Sequence, residues 1–194
     1  MMKIYIFVVL CLLCPAFAQN LAVAEAFVDS NIVPDLIPEP PRNMLNVYYP
    51  TAEICLGVEV AQTQVIATPT FEYQISPTSN YTLMFVDIDV PSAEQPTLSP
   101  ELYLLTVNIP GNVITAGFIV VPYVAPRAVP GSGSHRYVFL LYRQTRFIDI
   151  TNRALLSLAG QRFRYNLPGF VSQYNLELEA GNFFTINIPS FSGD

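Results

Sequence analysis

The chain has 194 residues, is 52% hydrophobic and only 12% charged, and carries a formal charge of −6 with a single histidine. An acidic balance of this kind excludes nucleic-acid binding through bulk charge. The single histidine, and the single cysteine that remains if residues 1–18 are removed as a leader, leave a zinc centre without enough ligands of the usual type.

Met1 to Lys3 is a short cationic start, Ile4 to Leu13 is an apolar core, and Ala16-Phe17-Ala18 places small residues where a signal peptidase reads. Residues 1–18 therefore read as a signal peptide cleaved after Ala18, and the product is expected to be secreted and extracellular. The apolar run is shorter than the roughly 20 residues that span a bilayer, and no later stretch is long enough, so no transmembrane segment is expected in the mature chain. Residues 19–194 have the size of a single domain. Cys11 and Cys14 leave with the leader, so no intramolecular disulfide can form. Cys55, between Ile54 and Leu56, reads as a small buried hydrophobe. Loss of Lys3 leaves eight arginines against fifteen acids, yet seven of the eight lie between Arg127 and Arg164, where Asp149 is the only acid. On one face they would meet an anionic headgroup or an acidic partner; along strand edges and loop ends they would only be solvated.

Leu21 to Phe27 has good helix formers and Asp29-Ser30-Asn31 can stop it, which predicts a short helix. Pro34, Pro38, Pro40 and Pro41 then predict an extended segment without regular structure as far as Met44. Strands are expected over Leu45–Tyr49, Glu53–Val60, Thr70–Ile75 and Tyr81–Val86, with a turn at Pro77-Thr-Ser-Asn80. Asn80-Tyr81-Thr82 is the single N-glycosylation sequon, with Asn80 as its acceptor. Further strands are expected over Leu102–Ile109, Arg136–Arg143 and Phe183–Ile188, and Phe118–Tyr123 is a short apolar segment. The run Tyr137-Val-Phe-Leu-Leu-Tyr142 is apolar at both parities, as a strand covered on both faces requires. Short helices are expected over Asn152–Leu158, with Thr151 or Asn152 as cap, and around Phe170–Tyr174. There is no alternating βαβ rhythm, so the fold class is mostly β, a sandwich-like core with peripheral helices.

Two stretches carry candidate chemistry. Tyr81 to Pro91 ends an apolar strand abruptly in Asp87, Asp89 and Pro91. One aspartate is expected to enter a pocket and the other to brace it, unless both only form a turn; residues two apart on a regular strand share a face, so this division requires the chain to bend there. Gly131-Ser-Gly-Ser-His135 could capture an anion, because glycines let backbone N–H groups approach closely and imidazole adds a donor. A lone histidine at a strand start is equally at home as a structural residue. No GxSxG elbow, Walker A or Rossmann fingerprint is present, and no calcium loop or other metal site is evident.

Together, Asp87-Ile-Asp-Val-Pro-Ser92 and Gly131-Ser-Gly-Ser-His-Arg-Tyr-Val-Phe139 resemble the signature segments of the phosphatidylethanolamine-binding protein family. Ile32-Val-Pro-Asp-Leu-Ile37, Thr63-Gln-Val65, and Val107-Asn108 ahead of Pro110-Gly111 agree in order, so the resemblance runs from about residue 22 to 188. It implies a β-sandwich of two antiparallel sheets with short helices and a small surface pocket for phosphorylated headgroups or other small anions. Asp87, Pro91, Gly133 and His135 would line that pocket, with Asp89 and Arg136 supporting it. An aspartate there suits an ammonium group, or a phosphate when protonated or bonded through His135. The family's frequent His-His pair is replaced by Leu102 and Tyr103, which puts a phenol where a second histidine would bind ligand. Ile88 and Ala93 replace a proline and an arginine, and the sequence stops soon after its last expected strand, which implies a more open pocket.

The resulting expectation is a secreted, non-enzymatic module that binds a small anion or phospholipid headgroup without a cofactor. The alternative is an inhibitor of a secreted serine carboxypeptidase or other hydrolase, acting through a surface outside the pocket. A hydrolase built on His135 and Asp87 ranks third.

Overall fold

Residues 15–73, 76–127 and 129–189 are described in a computed structural model. Helix α1 (Pro15–Asp29) contains the segment expected to be helical, and its Val23 and Phe27 are fully buried. The leader's cationic start and apolar core lie outside the described residues. A single turn, α2 (Ile32–Asp35), follows through Asn31, which takes the left-handed conformation at φ 53°. Pro34 lies inside this turn, which corrects the expectation of an extended segment from that residue; Pro38, Pro40 and Pro41 then hold the chain irregular as far as β1 (Asn43–Met44), as their missing N–H groups demand.

The strands are β2 (Asn46–Tyr49), β3 (Ala52–Ile54), β4 (Val58–Glu59), β5 (Thr70–Glu72), β6 (Asn80–Asp87), β7 (Glu101–Pro110), β8 (Phe118–Val121), β9 (Gly133–Gln144) and β10 (Leu176–Ile188). Two more helices, α3 (Arg153–Ser157) and α4 (Leu167–Tyr174), lie between β9 and β10. Asn152 caps α3 as expected, its side chain accepting from the Ala154 N–H.

The chain forms two sheets. One runs β1-β10-β9-β6-β7-β8, with β4 also on β10; the other is β3-β2-β5. Pairing is antiparallel throughout except for the two-residue strands β1 and β4, which run parallel to β10. The core is split by the large sheet. On one face Met84, Val86, Val138 and Leu140 pack against Phe27 of α1, Leu155 of α3 and Phe170 of α4. On the other, Leu83, Phe85, Phe139 and Leu141 pack against Val47 and Ile54 of the small sheet. Being covered on both sides explains why β6 and β9 read as continuous apolar runs. No helix among the described residues is long and apolar enough to cross a membrane.

Two local expectations are corrected. The strand expected over Glu53–Val60 is interrupted at Leu56 and Gly57, which take φ of 36° and 89° and split it into β3 and β4. Cys55 is exposed rather than buried: Ile54 takes the inward position and Cys55 follows it outward just before the turn. Gly57 is required there, since a Cβ would lie 2.9 Å from the Phe183 ring.

The turn is held by Asn182 of β10, a fully buried side chain. Its Nδ2 donates to the carbonyls of Leu45 and Ile54, at 2.8 and 2.9 Å, and its Oδ1 accepts from the N–H groups of Leu56 and Phe183. One amide thus links β10 to the entry of β2 and to the β3–β4 turn. Asn182→Ala leaves these buried groups without partners and is expected to cost about 3–5 kcal/mol of stability, read as a lower midpoint in urea unfolding.

Candidate functional site

The site forms where three central strands end together. In register, Asp87 at the end of β6 faces Glu101 at the start of β7 and Tyr137 near the start of β9. Phe85, Asp87, His135, Tyr137 and Tyr103 share the face that covers the small sheet, so the polar groups sit at the edge of an aromatic floor. In that floor Phe85 stacks on Phe139 with centroids 4.0 Å apart and meets Tyr103 edge-on, while Tyr137 stacks on Phe184. Rings packed in this way cannot shift without opening the core, so they fix the groups above them.

The chain bends after Asp87, and the two aspartates separate. Asp87 is 1% exposed; its Oδ1 accepts from the Asp89 N–H and its Oδ2 lies 2.9 Å from His135 Nδ1. Asp89, also 1% exposed, accepts from Arg136 three times: from its backbone N–H, Nε and Nη2. Arg136 continues through Nη1 to the Ser30 carbonyl and to Asp35, so the same guanidinium ties the α1–α2 junction to the strand end. Asp87 therefore faces the histidine and Asp89 is the brace.

Residues not singled out from sequence complete the cluster. His135 Nε2 lies 2.9 Å from the hydroxyl of Ser132, and the hydroxyl of Tyr103 donates to Glu101 Oε2 at 3.1 Å. The hydroxyl of Tyr137 is buried beside Asp87 and Tyr103 and makes no hydrogen bond of ordinary geometry. Gly133 opens β9 at φ 78° with open space where a Cβ would stand. Pro91 is exposed on the bend after β6, following a cis peptide. Asn80, at the far end of β6, is half-buried, and the Thr82 of its sequon is fully buried and donates to Gln144.

Glu101 was missed because nothing in its neighbourhood marks it, and Ser132, though inside the glycine stretch, was not singled out from its neighbour Ser134. Glu101 follows a proline-containing loop and looks like a strand-end acid, and Ser132 becomes a partner of His135 only through the turn between Gly131 and Gly133. Four of the arginines between Arg127 and Arg164 are engaged by separate partners. Arg143 pairs with Glu177, Arg146 donates to the Gln173 carbonyl, Arg164 to that of Thr97, and Arg162 to those of Leu102, Tyr103 and Pro122.

Electrostatically the cluster is mixed. Burial alone would lower the His135 pKa, but the hydrogen bond and charge of Asp87, with the charges of Asp89 and Glu101, outweigh it and the net shift is upward. Glu101 is raised, chiefly by burial; Tyr103, Arg162 and Arg127 pull it down and Asp87 pushes it further up. Burial first, then the nearby acids, keep the phenols of Tyr103 and Tyr137 protonated well above the usual range. Among the described residues no group of three or more His, Cys, Asp or Glu side chains could hold a metal ion.

Ser132, His135 and Asp87 form a serine–histidine–aspartate chain, but two amides close to the serine are already committed. The Ser132 N–H donates to the Val129 carbonyl and the Gly131 N–H to that of Pro189. A hydrolase of this type needs such donors free to stabilise an oxyanion.

Because the His135 pKa is raised above its ordinary 6.5, its ion pair with Asp87 stabilises the fold fully below that value, and the contribution is lost as pH rises through the raised pKa. This histidine is the only one in the chain, so its ring proton resonance can be followed alone by NMR. The titration is expected above 6.5, and Asp87→Asn should move it down; a midpoint unmoved by that change would contradict the assignment of its partner.

Comparison with known proteins agrees with this geometry. The phosphatidylethanolamine-binding protein family matches residues 44–184. The 26 kDa secreted antigen of Toxocara canis is 32% identical over 162 residues, or 81% of this chain, and the chain spans 62% of that relative's length. The putative odorant-binding protein A5 of Drosophila melanogaster is 30% identical over 84% of this chain and 79% of its own. Among solved structures, a carboxypeptidase Y inhibitor complexed with its cognate proteinase superimposes with a TM-score of 0.75 at 22% identity, covering 89% of this chain and 98% of that one, a likeness of fold. The matched segment contains both aspartates, the glycine turn and His135, and the chain belongs to the phosphatidylethanolamine-binding protein family.

Proposed function

We propose that this chain is a secreted, non-enzymatic binding protein whose pocket at the end of β6 takes a phosphorylated headgroup of the phosphatidylethanolamine type or a related small anion. The observation that carries this reading is the buried Asp87–His135 pair, with open space beside Gly133 at the start of β9. A protonated His135 offers a second donor from Nε2 once Ser132 yields its place, and Gly133 leaves space for close approach. Asp87 and Glu101 favour a ligand that also carries an ammonium group, since a bare phosphate beside two carboxylates is opposed by Coulomb repulsion. Tyr103 supplies a neutral donor or acceptor where a histidine could have supplied a charge. Export is supported by the leader-like residues 1–18 and by a secreted antigen among the relatives.

The alternative, an inhibitor of a secreted serine carboxypeptidase or other hydrolase, starts from the fold likeness to the carboxypeptidase Y inhibitor. It requires a contact surface outside the pocket, so inhibition of that enzyme would survive His135→Ala.

Titration with phosphoethanolamine, followed by native mass spectrometry, tests the main reading. Binding is expected, with at least a ten-fold loss in His135→Ala and tighter binding of inorganic phosphate in Tyr103→His. If no phosphoryl ligand binds, or if His135→Ala changes nothing, the reading fails. A fluorophosphonate probe should leave Ser132 unlabelled; labelling that depends on His135 would instead make the cluster a nucleophilic site.

A further inference from the structure

A second concavity lies far from His135. Tyr142, seven residues along β9, lines it, which places it about 23 Å away at the rise of a strand. It opens on the helix-covered face of the sheet, whereas the Asp87 cluster is on the other face. The cleft has a volume of about 470 Å³, within the range of small-molecule sites.

Its floor is apolar and built into the core: Ile37, Tyr142 and Leu167 line it and are each 2% exposed, with Leu176 beside them. Its walls are stiff. Pro38 and Pro40 form one side and Pro168, at the start of α4, the other. Prolines with fixed φ hold such a gap open without further loss of chain entropy, which favours occupation by a ligand.

The rim gives the cleft its chemical preference. Three carboxylates, those of Glu39, Glu177 and Glu179, line it against one guanidinium, that of Arg42. Arg143 pairs with Glu177 and lies 4.0 Å from Glu179, and Asn43 donates to Glu179 at 3.4 Å. Glu39 is exposed and makes no ion pair among the described residues. Counting Arg42 and Arg143 against the three carboxylates, the rim carries one net negative charge, and Glu39 is the carboxylate that neither Arg143 nor Asn43 engages.

We propose that this cleft is a second ligand site, separate from the headgroup pocket, for a small amphipathic amine: an apolar body on the Ile37–Tyr142–Leu167 floor and a protonated nitrogen at Glu39. An alkyl chain of about eight carbons gains affinity with each methylene buried there, and the charged end decides between ligands of equal chain length.

Octylammonium, octanol and octanoate share one chain and differ only in charge, so binding of the three to the purified protein by calorimetry separates apolar contact from charge recognition. Octylammonium should bind at least ten-fold tighter than octanoate, with octanol between them. Glu39→Gln, at an exposed side chain, should weaken octylammonium about five-fold or more and leave octanol unchanged. Val171→Trp, which fills the cleft from the half-buried face of α4, should abolish binding while phosphoethanolamine binding persists. Equal affinity for all three, preference for octanoate through Arg42, no binding of any, or indifference to both substitutions would overturn the proposal. Since phosphoethanolamine is followed in the same samples, failure of this site and failure of the headgroup pocket are separately visible.

Discussion

Two carboxylates at the end of β6 are cut off from water, and much of the surrounding structure compensates for that. A carboxylate taken from water costs several kcal/mol unless charge and hydrogen bonds replace its hydration. Asp87 is served by the Asp89 amide and His135, and Asp89 by three N–H groups of Arg136. Since His135 and Arg136 are adjacent on β9, both demands are met by one strand, and the β6–β9 register cannot slip by a residue without stranding both charges. The same guanidinium reaches Ser30 and Asp35, so the α1–α2 junction is fixed by the same requirement.

The large sheet separates two environments that do different work. On the small-sheet face, a stack of aromatic rings supports the polar cluster and holds Tyr103 and Tyr137 at its edge. On the helix face, the proline segment and α4 cover the sheet incompletely and leave a cleft with an apolar floor and acidic rim. Burial of the strands on both faces makes the two surfaces rigid, while the irregular segments at their margins set what each can accept.

Tyr103 brings a neutral phenol to the edge of the Asp87–His135 cluster. The hydroxyl is turned to Glu101, whose charge is in turn moderated by Arg162 and Arg127. The ring remains in the aromatic floor, so its packing does not depend on the hydroxyl. The His135 pKa is raised because Asp87, with Asp89 and Glu101, outweighs the effect of burial.

Much of this was legible in the order of residues. Apolar runs at both parities in β6 and β9 follow from burial on two faces, and the proline-rich stretch after α2 could form no ladder. Asp87 and His135 were recognisable as partners because two motifs occur together at a characteristic spacing. The division of labour between Asp87 and Asp89 required only that the chain bend after a strand. What sequence left open depends on contacts between distant segments: Glu101 reaches Tyr103 through the start of β7, and Ser132 reaches His135 through a turn of two positive-φ glycines. Cys55 turned outward because Asn182, on a strand more than a hundred residues later, fixes the β3–β4 turn. The arginines looked like a cluster along the chain, yet folding spends most of them on separate carbonyls and acids. Local pattern determined which segments are strands and which residues are candidates; only the packing of β7, β9 and β10 around β6 decided which of those candidates meet, because partner choice is a property of space and not of spacing.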